Sequence, residues 1–191
     1  MLPLEDIALV HGPFATIVAD PPWDFRTYSE KGAGRSPSAH YPTMGLDDIK
    51  ALPVADLAAR NACLFLWTTG SHLPMALEVM EAWGFTYKSC AFVWVKTTRT
   101  DQQKLATGLG FWTRQNAEHV LLGTRGRPKR KSANVQQTLL APRLEHSRKP
   151  EEIQDRIERL VDGPYLELFA RRHRPGWFCW GDELEDTNHA L

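Results

Sequence analysis

The four residues Asp20-Pro21-Pro22-Trp23 combine hydrogen-bond acceptors with an aromatic ring. An ionised aspartate only accepts hydrogen bonds, and a proline has a backbone carbonyl but no N–H. The Asp20 side chain and the Pro21 carbonyl therefore suit a group with two N–H donors, such as an exocyclic amine on a planar ring. Trp23 adds a face on which that ring would stack. The alternative interpretation of the tetrad is a rigid turn whose tryptophan fills a gap.

The charged residues are unevenly distributed along the chain. The whole sequence contains 23 Lys and Arg and 23 Asp and Glu, but the stretch from Lys96 to Lys149 contains twelve basic and three acidic residues. A neutral protein with one strongly basic segment is typical of a protein that binds a polyanion through that segment. A solvated, charged loop is the alternative interpretation.

Strands alternate with helices along the sequence. Short apolar runs rich in β-forming residues predict strands at Phe14–Asp20, Ala62–Thr68, Phe85–Lys96, Glu118–Gly123, Tyr165–Phe169 and Trp177–Trp180. Apolar residues at helical spacing predict helices at Leu46–Leu52, Val54–Asn61, His72–Trp83 and Pro150–Val161. This alternation predicts an α/β fold with a mostly parallel sheet flanked by helices. Ligands of such sheets bind beyond the carboxyl ends of the strands, which is where Asp20 falls.

The composition is that of an ordinary folded domain, with 42% hydrophobic and 24% charged residues. A chain of 191 residues predicts one domain, residues 1–191, able to bury a core of its own. No apolar run is long enough to cross a bilayer, and three separated cysteines without a CxxC pair indicate neither a zinc site nor a disulfide framework. We therefore expect no bound metal, no membrane partner and a reducing cytoplasm as the compartment.

Blocks of sequence spread over nearly the whole chain resemble a known enzyme family. They include ADPPWDF (19–25), LFLWTTG (64–70), EHVLLGTRG (118–126), HSRKPEEI (146–153) and ELFAR (167–171). In this order they are similar to the adenine N(6)-methyltransferase family of the eukaryotic messenger-RNA methyltransferase catalytic subunit and its bacterial and phage relatives. The resemblance implies a Rossmann-like class I methyltransferase fold. It also implies the permuted, β-type motif order, in which the catalytic tetrad precedes the cofactor-binding strand.

The same resemblance implies an activity. The protein would transfer a methyl group from S-adenosyl-L-methionine to the N(6) amino group of adenine in nucleic acid, with DNA as the favoured polymer. RNA adenosine is the alternative substrate, and a non-catalytic nucleic-acid-binding partner subunit is an alternative of a different class. The resemblance also leaves open a homodimer or a partner subunit.

Residue roles follow from the matching positions. The catalytic tetrad is Asp20, Pro21, Pro22 and Trp23. The expected cofactor-binding residues are Asp20, Lys149, Arg171, His173, Asp182 and Glu183. Segment 97–148 is expected to contain basic target-recognition loops. Together with the loop after the tetrad, it supplies the expected substrate-binding residues Tyr41, Trp112, Arg114, Arg127, Lys129, Arg130, Lys131 and His146.

Overall fold

The computed structural model describes residues 3–24, 43–108, 110, 112–143 and 148–184. Within these residues the strands are β1 (Phe14–Ala19), β2 (Ala58–Thr68), β3 (Thr86–Thr97), β4 (Ala117–Arg125), β5 (Thr138–Pro142), β6 (Tyr165–Leu168) and β7 (Trp177–Trp180). The α-helices are α1 (Leu4–His11), α2 (Leu46–Ala51), α3 (Val54–Leu57), α4 (Leu73–Ala82) and α5 (Glu152–Leu160). None of the helices described is long and apolar enough to span a lipid bilayer.

The strands form one sheet in the order β5-β3-β4-β2-β1-β6-β7. β1 pairs in parallel with both β2 and β6, β6 pairs in parallel with β7, and β3 pairs in parallel with β5. Only β4 runs in the opposite direction, antiparallel to its neighbours β2 and β3. The predicted α/β fold with a mostly parallel sheet is therefore confirmed.

The two faces of the sheet bury separate apolar clusters. Successive side chains of a strand point to opposite faces. In β2, Leu64 and Leu66 accordingly pack into the cluster that contains the buried residues of α1 to α4. Phe65 and Trp67 pack on the other face, in the cluster that contains the buried side of α5. Helices therefore cover both faces, as the sequence predicted, and they hold the strand ends in fixed positions.

Three local assignments differ from the sequence-based ones. The helix predicted over Val54–Asn61 ends at Leu57, and β2 begins at Ala58, because this segment pairs with Phe14 of β1. The short helix α1 was not predicted. Strand β5 was not predicted either: it lies in the basic segment, only Leu139 is fully buried, and its strand conformation depends on pairing with β3. Such pairing has no local sequence signal.

Candidate active site

The candidate site lies where most of the strands end. We call this side of the sheet the carboxyl end and the opposite side the amino end. The parallel strands β1, β2, β3, β5, β6 and β7 all finish at the carboxyl end, and the antiparallel β4 starts there. Asp20 follows β1 directly, so its side chain lies among the loops that leave this end.

Asp20 is part of a chain of alternating charges. The Lys149 ammonium Nζ lies 2.6 Å from Oδ2 of Asp20 and 3.3 Å from Oε2 of Glu118. The other oxygen of Glu118 forms an ion pair with Lys96. Lys96 lies near the end of β3, Glu118 is the second residue of β4, and Lys149 lies just before α5. With Asp20 after β1, four separate parts of the sequence meet here. The four residues carry no net charge when all are ionised.

These ion pairs control protonation in the cluster. Glu118 is only 8% exposed. Burial alone would raise its pKa, but the ammonium groups of Lys149 and Lys96 outweigh burial and hold the pKa below its usual value. Burial would likewise lower the pKa of Lys149, but the carboxylates of Asp20 and Glu118 reverse this effect and raise the pKa. Lys149 is therefore a permanent cation beside Asp20 at physiological pH.

The backbone of the tetrad is held by several hydrogen bonds. The Pro21 carbonyl accepts from the Trp23 backbone N–H at 2.8 Å, which leaves its second lone pair for another donor. The Pro22 carbonyl accepts from the Met44 N–H at 2.9 Å. The Trp23 indole N–H donates to the Trp67 carbonyl at 3.1 Å. These bonds fix the direction in which Asp20 and the Pro21 carbonyl face.

The Trp23 side chain is buried, whereas a ring that stacks on a ligand needs an accessible face. Its side chain is 7% exposed, and the His72 ring stacks on it with centroids 6.0 Å apart. The described contacts thus give Trp23 a positioning role below the tetrad. Stacking of a target ring on Trp23 stays a prediction. A second indole, that of Trp67, lies 5.4 Å from the Lys149 ammonium, a distance at which its π face attracts the cation.

A cavity of about 650 Å³ opens beside Asp20. This volume lies within the range of small-molecule sites. Its polar lining combines cations, carboxylates and one amide: Asp20, Arg99, Arg148, Lys149, Gln154, Glu167, Arg171, Arg172 and Glu183. Its apolar lining includes Trp67 and Phe169. The cavity therefore suits a ligand with both charge signs and an apolar or aromatic part.

Local backbone geometry brings the last two strands to this cavity. Phe169, directly after β6, has φ 62, a left-handed conformation that costs a non-glycine residue about 1 kcal/mol or more. At Gly181, directly after β7, an added Cβ would lie 2.2 Å from the Ala170 carbonyl oxygen. The two chain segments can cross this closely only with glycine there. The crossing brings Arg171 to 3.5 Å from Glu183.

Glu167 is a second carboxyl group in the cavity wall. The Gln154 amide donates to it at 2.6 Å, and Arg172 in turn donates to Gln154 at 2.8 Å. Burial, reinforced by the nearby negative charge of Asp20, raises the pKa of Glu167 to about 7. A carboxyl group that titrates near neutrality and lines a cavity is typical of a functional site.

The structure brings several predicted cofactor residues together and leaves others at the margin. Asp20, Lys149, Arg171 and Glu183 line the cavity. Asp182 and His173 are exposed on the adjoining loops and do not line it. Tyr41 and His146, predicted to bind substrate, lie outside the described residues.

The predicted substrate residues Trp112 and Arg114 lie on the loop that joins β3 to β4. This loop leaves the carboxyl end, since β3 finishes and β4 starts there. Trp112 is 99% exposed, and Arg114 is also exposed. Both side chains are therefore available to a large ligand approaching the same end of the sheet as Asp20.

The other predicted substrate residues follow the opposite end of β4. They are Arg127, Lys129, Arg130 and Lys131. Because β4 is antiparallel to β2, it carries the chain from the carboxyl end to the amino end. The structure therefore does not bring this basic run to the cavity.

Several cavity residues were missed by the sequence analysis. In the cavity lining they are Arg99, Arg148, Gln154, Glu167, Phe169 and Arg172. Lys96 and Glu118, which belong to the adjoining chain of ion pairs, were missed as well. Glu118 and Glu167 did carry a signal, since each is a carboxylate inside an apolar strand pattern, where a charge needs a partner. Arg148 and Arg172 adjoin predicted residues in sequence. Arg99 has no local signal, because its position depends on the β3–β4 loop.

The amino-acid sequence is similar to that of a known protein family and of several of its members. The model of the MT-A70 family matches residues 14–183. The chain is 33% identical to the type II methyltransferase M.MunI of Mycoplasma sp, over 97% of this chain and 84% of that protein. It is 33% identical to an N(6)-adenosine-methyltransferase MT-A70-like protein of Arabidopsis thaliana and 32% identical to the human N(6)-adenosine-methyltransferase catalytic subunit METTL3. These matches span 24% and 30% of those two longer proteins.

Proposed function

Because the chain belongs to the MT-A70 family, we propose that this methyltransferase modifies the N(6) amino group of adenine in DNA, with S-adenosylmethionine as the methyl donor. One observation carries the proposal: Asp20, which directly precedes Pro21, lines a charged cavity at the carboxyl end, and Lys149 contacts the Asp20 carboxylate at 2.6 Å. This arrangement supplies a grip for an amine and a neighbouring compartment for a second molecule.

The hydrogen-bond acceptors of the tetrad would make a weakly nucleophilic amine more reactive. The adenine amino nitrogen is a poor nucleophile because its lone pair is delocalised into the ring. Lys149 contacts Oδ2 of Asp20, which leaves Oδ1 and the second lone pair of the Pro21 carbonyl for the two N–H groups. Hydrogen bonds to both acceptors favour a pyramidal nitrogen with its lone pair directed at the methyl group. The Asp20 carboxylate also stabilises positive charge developing on that nitrogen.

The cavity residues fit S-adenosylmethionine by charge and shape. When bound, this cofactor supplies an electrophilic methyl group on a sulfonium sulfur. Lys149 and Arg171 would hold its carboxylate, and Asp20 its ammonium group. Glu183, with the adjoining Asp182, would accept hydrogen bonds from the ribose hydroxyls, as carboxylates after a strand do in other nucleotide sites. Phe169 offers an apolar wall to the adenine ring.

DNA is the favoured polymer because of how the chain matches its relatives. The type II methyltransferase, of a class that acts on DNA, is 33% identical over 97% of this chain. The longer N(6)-adenosine methyltransferases are 32% to 33% identical to it. RNA is the second candidate, supported by the names of those longer relatives. In a duplex, the target base must leave the stack to reach Asp20, and the exposed Trp112 and Arg114 at the same end would contact the strand.

The activity is tested by transfer of a labelled methyl group to matched DNA and RNA, each single- and double-stranded, followed by nucleoside analysis. We expect label in N(6)-methyldeoxyadenosine. Label in N(6)-methyladenosine alone would show that the substrate is RNA and not DNA. Absence of transfer to all four polymers would contradict the proposal, and absence of cofactor binding in calorimetry as well would favour the non-catalytic partner.

Cofactor affinity should increase with pH up to about pH 7. Glu167 is protonated in the free protein below its pKa of about 7, and a cationic ligand in the same cavity favours its carboxylate. Binding at pH 5.5 must therefore release a proton, whereas binding at pH 8 need not. We expect an affinity about tenfold lower at pH 5.5 than at pH 8, measured by calorimetry. Glu167→Gln should bind with little dependence on pH, and an unchanged pH profile in this variant would contradict the assignment to Glu167.

Two further expectations concern the setting of the enzyme. A reducing cytoplasm stays a prediction from the sequence, in which Cys63, Cys90 and Cys179 are far apart and form no CxxC pair. A homodimer or a partner subunit stays a prediction from the family resemblance, and sedimentation of the purified protein with and without DNA tests it.

A further inference from the structure

A second positively charged surface lies at the amino end of the sheet. We call Arg60, Arg127, Lys129 and Arg130 the amino-end patch, and all four residues are exposed. Arg127, Lys129 and Arg130 follow β4, and Arg60 lies near the start of the neighbouring β2. Among the described residues, no carboxylate forms an ion pair with these four side chains.

The backbone of the patch is held in place. Gly126 has φ 63, and an added Cβ there would lie 2.3 Å from the Arg60 carbonyl oxygen. Only glycine at this position therefore allows the backbone that leaves β4 to pass this close to β2. The Asn61 side chain accepts from the Arg127 backbone N–H at 2.8 Å. Lys131 ends the run as an anchor: its N–H donates to the Leu160 carbonyl at 2.7 Å. These backbone contacts keep the run at the amino end of the sheet, so its exposed cations stay together on that part of the surface.

Strand β4 sets the distance between the patch and the active site. Glu118, which contacts Lys149, lies at one end of β4, and Gly126 follows its other end. Eight residue steps of extended chain separate them, which is about 27 Å at 3.4 Å per residue. The rise of B-form DNA is about 3.4 Å per base pair, so the same distance corresponds to about eight base pairs. A nucleic acid that reaches both places must extend at least that far from the target base.

We propose that the amino-end patch binds the phosphate backbone of the substrate nucleic acid at a position remote from the target adenine. This inference rests on the proposed function, which brings a polyanion to the protein. The patch then adds sequence-independent affinity for long substrates without touching the reacting base, and short substrates receive none of it. Near the target adenine, the phosphate backbone is contacted instead by arginines at the carboxyl end, such as Arg114.

The test is the triple variant Arg127→Gln, Lys129→Gln, Arg130→Gln, which leaves the anchor Lys131 intact. Steady-state methylation is measured on 10- and 40-base-pair duplexes with one central target adenine. We expect KM for the long duplex to rise at least fivefold and KM for the short duplex to change less than twofold, with kcat unchanged for both. Arg114→Gln, at the carboxyl end, should raise KM for both lengths alike. Lys88→Gln, an exposed charge outside the patch, should alter neither.

A second measurement is independent of catalysis. Binding of the 40-base-pair duplex is followed by fluorescence anisotropy as salt increases, and the triple variant should lose about 2 to 3 from the slope of log K against log salt. If the wild type methylates no duplex, the proposed function fails and this slope alone decides the patch. A KM increase that is equal for both lengths would assign these residues to the target channel and overturn the proposal. An unchanged slope and unchanged KM would also overturn it, and would indicate that the patch is a solvated charged surface.

Discussion

Replacing Asp20 by alanine should lower the rate of methyl transfer by about 10³-fold and leave the fold intact. The loss is large because the substitution removes both a hydrogen-bond acceptor of the amine and the negative charge that stabilises the transition state. The fold tolerates the change because Lys149 keeps Glu118 as its partner at 3.3 Å, so no buried charge is left unpaired. The measurement is single-turnover methyl transfer to the substrate established above, with thermal unfolding recorded for the same preparation.

Two further variants separate the roles of Asp20. Asp20→Asn keeps an acceptor oxygen but loses the charge, and we expect an activity between those of the wild type and Asp20→Ala. Asp48→Ala removes an exposed carboxylate from α2 and serves as the matched control, with activity unchanged. Turnover of Asp20→Ala within tenfold of the wild type would refute the assignment of Asp20 to the amine.

Replacing Lys149 by methionine should both reduce methyl transfer by about 10²-fold or more and destabilise the protein. Asp20 loses the cation that holds its carboxylate, and the cavity loses a positive charge. Glu118 is only 8% exposed, and Lys96 is then its remaining ion-pair partner among the described residues. Breaking a buried ion pair costs about 3 to 5 kcal/mol when the remaining charge has no partner. We expect about 2 kcal/mol here, because Lys96 still compensates Glu118.

The pH dependence of this destabilisation has a definite sign. The lysines hold the pKa of Glu118 below its usual value of 4.5, so the cluster contributes stability above that pH and loses it as the pH falls further. The difference in unfolding free energy between wild type and Lys149→Met should therefore be full at pH 7 and shrink well below pH 4.5. Urea unfolding at several pH values measures it.

A double variant separates the structural role of Lys149 from its functional role. Glu118→Gln, Lys149→Met removes the buried carboxylate together with one of its two cationic partners. The other partner, Lys96, has a side chain that is 22% exposed and can be solvated, so we expect the double variant to recover most of the stability lost in Lys149→Met. Methyl transfer should stay low, because Asp20 still has no cation. Recovery of activity together with stability would show that Lys149 acts only through the fold.

Much of the fold follows from local sequence. The apolar run of β1 ends at Asp-Pro-Pro, and two consecutive prolines cannot continue a ladder of backbone hydrogen bonds. The position of Asp20 at a strand end was therefore determined by the residues around it. The periodicity of α5 likewise predicted that Ile153 and Ile157 are buried. In α4 the predicted side was partly wrong, because Leu73 and Leu77 are exposed and Ala76 and Val79 are buried instead. The acceptor chemistry of the tetrad required no knowledge of the fold, because it depends on side-chain and proline chemistry alone.

The composition of the site was decided by tertiary structure. Lys149 was predicted from its sequence block, but its contact with Glu118, and that of Glu118 with Lys96, depends on β4 lying two strands away from β1 in the sheet. The basic segment 97–148 reads as one unit in sequence. In the structure β4 carries part of it to the amino end, and β5, parallel to β3, brings the chain back to the carboxyl end, where Arg143 follows. Strand direction and strand neighbours arise from hydrogen bonds between residues far apart in the chain. The spacing of residues along a sequence carries almost no information about them, and so the partner of each charge could be known only once the sheet was assembled.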